Sequence, residues 1–299
     1  MTRRTDLALE ARELFAASTG EKTALEGVKA TDSEREGFPV TTVEVLDETG
    51  AKAIGKPVGK YVTLTLTGIE NRLPQDFDRA ARAVGSLLRE LLPGEKTAPV
   101  LVAGLGNRDI TPDCIGPGAV KYTFVTRHLV KEMPDQFGTL RPVSAVAAGV
   151  TGSTGVESGE LLRGVVEKVS PACVIAADAL ASRSLSRVCT TVQIADSGIV
   201  PGSGVGNSRA EISRATLGVP VIAVGVPTIV DAATLASDVA AEAGQADLEP
   251  EALRTAAKGL LVTPRDIDAQ VAALSRVVGL GISLALQDLE LDDLTALLS

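Results

Sequence analysis

Four short apolar runs punctuate the central part of the chain. Amphipathic helical patterns separate them, for example at residues 156–169 and roughly at 116–131. Continuous apolar runs of this length are typical of parallel strands that are covered on both faces. The alternation predicts βαβ units, and therefore an α/β fold with a mostly parallel sheet flanked by helices. The four runs are APVLVAGL, RPVSAVAAG, ACVIAADAL and PVIAVGVP.

The segments outside these runs show other periodicities. Valine and leucine alternate with threonine over residues 62–66, which predicts a half-buried strand. Apolar residues recur at helical spacing over residues 77–91, where a Pro-Gly pair follows. A long C-terminal helix is predicted to start at Thr263 as the N-cap, with Pro264 in its first position.

No repeat, low-complexity tract or convincing linker divides the chain. Residues 243–262 lack a clear pattern and are expected to be an excursion on the surface. The chain is therefore expected to form one compact domain with an N-terminal appendage.

Composition and charge narrow the possible functions. Hydrophobic residues make up 45% of the chain and charged residues 22%, as in ordinary globular proteins. The net charge of −9 and the 2% aromatic content argue against a nucleic-acid-binding surface. No apolar run approaches the roughly 18 residues of a membrane span. Three cysteines without CxxC spacing predict free thiols in a reducing, cytoplasmic compartment, and a single histidine makes a zinc site improbable.

Aspartates follow four of the predicted strands. They are Asp113, Asp178, Asp196 and Asp231. Ligands of open α/β sheets bind beyond the carboxyl ends of the strands, so one rim is predicted to collect these side chains. Two carboxylates at short range share a proton, and such a pair can activate water and polarise a carbonyl. An aspartate in this position can equally cap the next helix or form an Asx-turn, and the spacing does not decide between the two.

Other chemical motifs are weaker. The GLGNRD sequence after the first run lacks the third glycine of a dinucleotide-binding loop. The PGSGVGN loop has no Walker lysine, and no GxSxG nucleophile elbow is present. His128 could serve as a base or a ligand, although a structural role is the commoner one for a single histidine. No cofactor or metal is predicted.

Longer motifs resemble the spore germination proteases, the endopeptidases that degrade small acid-soluble spore proteins. The resemblance runs in the same order from about residue 3 to residue 288. It implies an α/β fold of the phosphorylase/hydrolase type, similar to the hydrogenase maturation proteases. The segments concerned are RTDLALEA, GLGNRDITPDCIGP, VTRHL, GVTGSTGVES, VIAADALASRSLSRVCTTVQIADSGIVPGSGVGN, TLGVPVIAVGVPTIVDAAT and LLVTPRDID.

The resemblance implies an aspartate-based mechanism. The catalytic pair of the family corresponds to Asp113 in TPDCIGP and Asp178 in AADAL. Asn107 and Arg108 are expected to orient this pair or the substrate. Asp196 and the loop that contains Gly204 are expected to form walls of the cleft.

The resemblance also implies synthesis as a zymogen that removes its own propeptide. The RTDLALEA sequence places the cut between Asp6 and Leu7, so residues 1–6 would be a short propeptide and 7–299 one peptidase domain. The implied substrates are small acid-soluble spore proteins in the spore core or forespore. The implied assembly is a homo-oligomer, a tetramer in the family.

Two other functions fit the same fold. One is a metal-assisted peptidase of the hydrogenase-maturation type, which would have to recruit His128. The other is a catalytically inactive module that binds a peptide or nucleotide. The presence of both aspartates in their family contexts favours the peptidase.

Overall fold

A computed structural model describes residues 5–19, 25–206, 209–242, 255, 257 and 259–298 of the chain. Within this part, nine strands form one mixed sheet in the order β1-β2-β3-β7-β8-β6-β4-β5, and β9 pairs with β8. The strands are β1 (Val28–Arg35), β2 (Phe38–Val45), β3 (Gly59–Thr65), β4 (Val100–Leu105), β5 (Val143–Gly149), β6 (Cys173–Ser182), β7 (Thr191–Ala195), β8 (Val221–Asp231) and β9 (Leu261–Val262).

The four apolar runs form the parallel core of the sheet, as predicted. Strands β5, β4, β6 and β8 lie side by side, and each neighbouring pair is parallel. All six residues of β4 are buried, and so are nine of the ten residues of β6. Continuous burial requires cover on both faces, which explains why these strands show no alternation.

The other half of the sheet is antiparallel. Strand β7 runs antiparallel to β8, and β3, β2 and β1 continue the sheet in the same manner. The N-terminal strands are therefore part of the central sheet, so the expected N-terminal appendage is wrong. Because β7 runs in the opposite direction, its carboxyl end and the adjacent Asp196 lie next to the amino ends of the parallel strands.

Helices cover both faces. The described helices are α1 (Ala8–Thr19), α2 (Glu48–Ile54), α3 (Pro74–Leu91), α4 (Ile115–Lys121), α5 (Arg127–Glu132), α6 (Pro134–Phe137), α7 (Thr151–Thr154), α8 (Ser158–Val169), α9 (Arg214–Leu217), α10 (Ala232–Glu242), α11 (Ile267–Leu286) and α12 (Leu291–Leu298). The pattern predicted over 116–131 is two helices, α4 and α5, because the chain turns at residues 122–126.

Helix α11 packs against α3 and α4 on one face of the sheet. Glycines bring the helices close together: a Cβ on Gly279 would lie 2.4 Å from the carbonyl oxygen of Ala119. This helix is long and apolar enough to cross a membrane by length and composition, but 72% of its apolar window is buried inside the fold. Its burial accounts for its hydropathy, because a helix that is apolar all round belongs to a core as readily as to a bilayer.

The predicted start of α11 is wrong. The helix begins at Ile267 with Asp266 at its N-cap, and Pro264 belongs to the turn before it. The hydroxyl of Thr263 donates to the carbonyl of Thr228 in β8, 3.0 Å away, so it is not free to cap the helix. Most of the expected excursion at 243–262 lies outside the described residues. Its last two residues form β9.

Candidate active site

The loop after β4 turns tightly around Asp113. Gly106 has a φ of 104°, and a Cβ there would lie 2.1 Å from the carbonyl oxygen of Asp113. The backbone N–H of Asn107 donates to Oδ2 of Asp113 at 2.7 Å. Glycine is needed because this left-handed backbone and close approach leave no room for a side chain. The loop thereby presents one carboxylate in a fixed position.

Hydrogen bonds on both sides of the loop hold it in place. The Asn107 side chain accepts from the N–H of Asp109 at 3.0 Å, which forms an Asx-turn. The hydroxyl of Thr228 in β8 donates to the carbonyl of Pro112 at 2.7 Å. Asn107 thus contacts Asp113 through its backbone, and its side chain shapes the loop. Arg108 is exposed. Burial raises the pKa of the Cys114 thiol, and the positive charge of Arg108 partly counteracts this increase.

Asp178 lies in the middle of the parallel core. It is 4% exposed, and its Oδ1 accepts the N–H of Ala179 at 2.9 Å. The start of α4 packs directly beside it: a Cβ on Gly116 would lie 2.2 Å from the carbonyl of Leu105 and 2.3 Å from that of Ala177. The loop containing Asp113 therefore rests on the strand that carries Asp178.

Both aspartates have raised pKa values, and the charge of Asp113 contributes to that of Asp178. Burial raises the pKa of Asp178 well above its ordinary value, and the charges of Asp113 and Asp6 add to this. Burial also raises the pKa of Asp113, but the hydrogen bond from Asn107 opposes the increase. The pKa of Asp178 is therefore raised more strongly than that of Asp113, because Asp178 is buried more deeply and also feels the charge of Asp113.

A third aspartate lies close to this pair. Asp6 precedes α1, and its backbone N–H donates to the carbonyl of Ala181 in β6 at 3.0 Å. Its carboxylate accepts the N–H of Ala181 at 2.8 Å and the hydroxyl of Ser203 at 2.6 Å. A Cβ on Gly204 would lie only 2.2 Å from the same carboxylate. The residues before α1 are thus held against the end of β6.

Two further side chains bind the carbonyl oxygen of Asp6. The Lys56 Nζ donates to it at 3.0 Å and to the carbonyl of Thr5 at 3.1 Å. The Gln193 Nε2 donates to it at 3.1 Å, while the Gln193 Oε1 accepts the N–H of Ala8 at 2.7 Å. A cavity of about 900 Å³ extends from this point between α1, α2 and β7.

Asp178 and Gln193 are neighbours across one strand. Both pair with Gly225 of β8, Asp178 from β6 and Gln193 from β7. Paired residues of adjacent strands point to the same face, so both side chains project from one face at one level. The side chain of Leu180 packs over Gly225: a Cβ on Gly225 would lie 2.4 Å from it.

Helix α1 is anchored beside the site through Glu10. This carboxylate is 2% exposed and accepts the N–H groups of Arg183 and Ser184 at 2.7 and 3.0 Å. It also forms an ion pair with Arg187 at 3.2 Å, and Arg187 contacts Glu13 at 2.7 Å. Because a buried carboxylate needs such partners, Glu10 fixes the position of the segment that precedes it.

The structure separates the other predicted residues from the pair. Asp196 accepts the N–H of Lys60 at 2.7 Å and lies at the opposite end of the parallel strands, so the prediction that it shares a rim with Asp113 and Asp178 is wrong. Asp231 caps α10 by accepting the N–H of Thr234 at 2.9 Å, the alternative role of a strand-end aspartate. His128 is exposed in α5, close to the start of β5 and roughly 15 Å along the sheet from the level of Asp178.

Sequence reasoning missed Lys56 and Gln193. Gln193 left one signal, since it is a polar residue in the otherwise apolar end of its strand run, TTVQIA. Lys56 gave no such signal, because it stands between Gly55 and Pro57 in an apparent loop and lysines are mostly exposed on surfaces. Among the described residues, no group of three histidine, cysteine, aspartate or glutamate side chains is arranged to hold a metal ion.

Comparisons with known proteins point in one direction. The germination protease family model matches residues 8–242. The chain is 43% identical to a germination protease of Caldanaerobacter subterraneus over 95% of this chain and 94% of that one. It is 42% identical to one of Clostridium perfringens over 99% of both chains, and 46% identical to one of Bacillus cereus over 79% and 65%.

Among solved structures, a [NiFe] hydrogenase maturation protease, HycI, from Thermococcus kodakarensis is similar. The TM-score is 0.36 and the identity 14%, over 66% of this chain and 98% of that one. The family model and the relatives together cover nearly the whole chain, including both aspartates and the segment around Asp6. This chain therefore belongs to the germination protease family.

Proposed function

We propose that this germination-family peptidase hydrolyses peptide bonds with Asp113 and Asp178 as a pair. The supporting observation is that Asp178 lies buried in β6 directly under the start of α4, which follows the loop of Asp113, and that burial and then the charge of Asp113 raise its pKa. Two interacting carboxyl groups that hold one proton supply a base and an acid at the same time.

The surroundings of the pair assign the two roles. Asp113 accepts a backbone N–H, which favours its ionised form, so it takes a proton from the attacking water. Asp178 is buried and stays protonated, so it donates to the carbonyl oxygen or to the leaving nitrogen. The water oxygen bonds to the carbonyl carbon, the C–N bond breaks, and the leaving amine takes a proton.

Self-processing between Asp6 and Leu7 belongs to this proposal. Residues 5–7 lie beside β6 just before α1, and the N–H of Asp6 donates to the carbonyl of Ala181 in that strand, so the main chain at the expected cut is held close to Asp178. The first four residues lie outside the described part, so their role as a propeptide stays a prediction. The proposed substrates are small acid-soluble spore proteins of the spore core, and the proposed assembly is a homo-oligomer.

The experiment replaces each aspartate by its amide. Asp113→Asn and Asp178→Asn should each lower kcat/KM for a spore-protein peptide by about 100-fold or more, as loss of one member of an acid–base pair does. Asp109→Asn, an exposed aspartate of the same loop, is the matched control and should stay within about threefold of the parent, because surface changes have small effects. Circular dichroism checks that each variant folds.

A folded Asp113→Asn or Asp178→Asn variant with near-parental cleavage would show that the pair is not catalytic. The metal-assisted alternative finds little support, because His128 lies far along the sheet from Asp178. Cleavage that EDTA leaves unchanged is expected.

A further inference from the structure

A β-bulge interrupts the pairing of β6 with β8 near the aspartate pair. Leu180 of β6 lies opposite Pro227 of β8. The next residue of β6, Ala181, lies opposite Ile229, so Thr228 is an extra residue without a partner in β6. Bulges are rare in parallel pairs, and they recur next to active sites, where they redirect a side chain. The bulge therefore draws attention to the side chain of Thr228.

The backbone on both sides of the bulge is held from outside β6. The carbonyl of Pro227 accepts the N–H of Cys189 at 2.7 Å, and the carbonyl of Thr228 accepts the hydroxyl of Thr263 at 3.0 Å. Cys189 has a φ of 56°, a left-handed backbone that is uncommon for residues other than glycine. Proline has no N–H to donate to a sheet, which suits Pro227 to a bulge. Two separate segments thus fix the direction in which Thr228 points.

Thr228 is a polar residue among buried valines. Val226 and Val230, on either side of it in β8, belong to the core that α3, α4 and α11 cover. The side chain of Thr228 is fully buried in the same region. Valine has nearly the same shape, so packing alone would favour valine here, and a buried hydroxyl is costly unless it forms a hydrogen bond. The hydroxyl therefore needs a role other than packing.

The Thr228 hydroxyl binds the peptide group that leads into Asp113. It donates to the carbonyl of Pro112 at 2.7 Å. The N–H of the same peptide group, which belongs to Asp113, donates to the carbonyl of Ile110 at 2.8 Å. Both ends of this peptide group are therefore held, while the N–H of Asn107 holds the carboxylate. Main chain and side chain of Asp113 are thus fixed by separate contacts.

We propose that Thr228 is a positioning residue for Asp113. The bulge directs its hydroxyl to the carbonyl of Pro112, and this contact sets the position of the Asp113 carboxylate relative to Asp178. Strand β8 pairs directly with β6, which carries Asp178, so one hydroxyl ties the loop to the strand beside the second aspartate. The inference rests on the proposed function, because a base and an acid that act together need a fixed separation.

Kinetics of two Thr228 variants test this role. Thr228→Val removes the hydroxyl and keeps the shape of the side chain. For a spore-protein peptide, kcat should fall about tenfold or more while KM stays within about threefold, because the change displaces the base and not the substrate. Thr228→Ser keeps the hydroxyl, and its kcat should stay within about threefold of the parent.

Thr126→Val is the matched control. Thr126 is also fully buried, and its hydroxyl donates to the carbonyl of Arg141 and accepts the N–H of Val143. It lies at the start of β5, at the amino ends of the parallel strands and away from Asp113. Losing these hydrogen bonds should lower the urea midpoint, as in Thr228→Val, but should leave kcat within about threefold of the parent.

Amide hydrogen exchange measured by NMR reports on the loop without requiring catalysis. The N–H groups of Asn107 and Asp113 should exchange about tenfold faster or more in Thr228→Val, because loop residues exchange through local opening and the loop has lost one anchor. In Thr228→Ser and Thr126→Val their exchange should stay within about threefold of the parent. Adding Thr228→Val to Asp113→Asn should not lower the residual kcat further, because the hydroxyl acts through Asp113.

The outcomes separate this inference from the proposed function. Unchanged exchange in Thr228→Val, or unchanged kcat while Asp113→Asn is inactive, would overturn the inference and leave the catalytic pair standing. An equal loss of kcat in Thr126→Val, or a further loss when Thr228→Val is added to Asp113→Asn, would also overturn it. Faster exchange in Thr228→Val together with full activity of Asp113→Asn would overturn the catalytic pair, and Thr228 would still be the residue that positions the loop.

Discussion

Replacing Gly106 with alanine tests whether the backbone of one loop positions Asp113. The new Cβ would lie 2.1 Å from the carbonyl oxygen of Asp113 and 3.0 Å from its Oδ1. Contacts below 3.0 Å are essentially never seen for a real Cβ, so the Asp113 backbone has to move away by about 1 Å. A left-handed φ of 104° adds strain of about 1–3 kcal/mol for a non-glycine residue.

The displacement acts directly on the carboxylate. It breaks or lengthens the hydrogen bond from Asn107, and moves Asp113 relative to Asp178. A misplacement of about 1 Å in a catalytic group can cost about 100-fold in rate. We therefore expect kcat/KM for a spore-protein peptide to fall by about 100-fold, and the free energy of unfolding to fall by about 1–3 kcal/mol.

Gly94→Ala is the matched control. Gly94 also has a left-handed backbone, with a φ of 79°, but among the described residues no heavy atom lies within 4 Å of the position that a Cβ would take. It should lose similar stability in urea unfolding and keep its activity. If Gly106→Ala retains kcat/KM within about threefold of Gly94→Ala, the loop does not position Asp113 in the way described.

Three other results are expected. In Asp113→Asn the pKa of Asp178 should fall but stay above its ordinary value, because burial remains; ¹³C NMR titration of the carboxyl group checks this. The pKa of Asp178 is raised in the folded state, so the parent should lose stability as the pH rises above the ordinary pKa of aspartate, whereas Asp178→Asn should not. The urea midpoint of the variant should therefore rise relative to that of the parent between pH 4 and pH 8. A difference between the two midpoints that is the same at both pH values would contradict this. Burial raises the pKa of Cys173 to about 11 and that of Cys189 to about 12, so iodoacetamide at pH 8 should label them only after unfolding, as mass spectrometry would show.

The sequence was most informative about the parallel core. Strands buried on both faces leave continuous apolar runs, so β4, β5, β6 and β8 could be located before their partners were known. The N-terminal strands β1 and β2 could not be located in this way. The exposed β1 has only two half-buried alternating positions among its first three residues, and its pairing with β2 depends on tertiary contacts.

The candidate site shows the same limit. Asp113 and Asp178 follow or lie within parallel strands, so strand-end reasoning and family resemblance agree on them. Asp196 was assigned to the wrong edge because the direction of β7 is not encoded in its own residues. Lys56 and Gln193 were missed because their role depends on a segment 50 residues and 187 residues distant along the chain, respectively.

That separation has a consequence for biosynthesis. The N-terminal segment leaves the ribosome first, but the residues that receive it, from Ala181 to Ser203, are made only after about two thirds of the chain. Long-range pairings form late, after the elements between them. A nascent chain therefore has no groove in which its own N-terminus can dock. Competence to bind it arises only when β6, β7 and β8 have come together, so translation itself delays the first encounter between the segment and the aspartates.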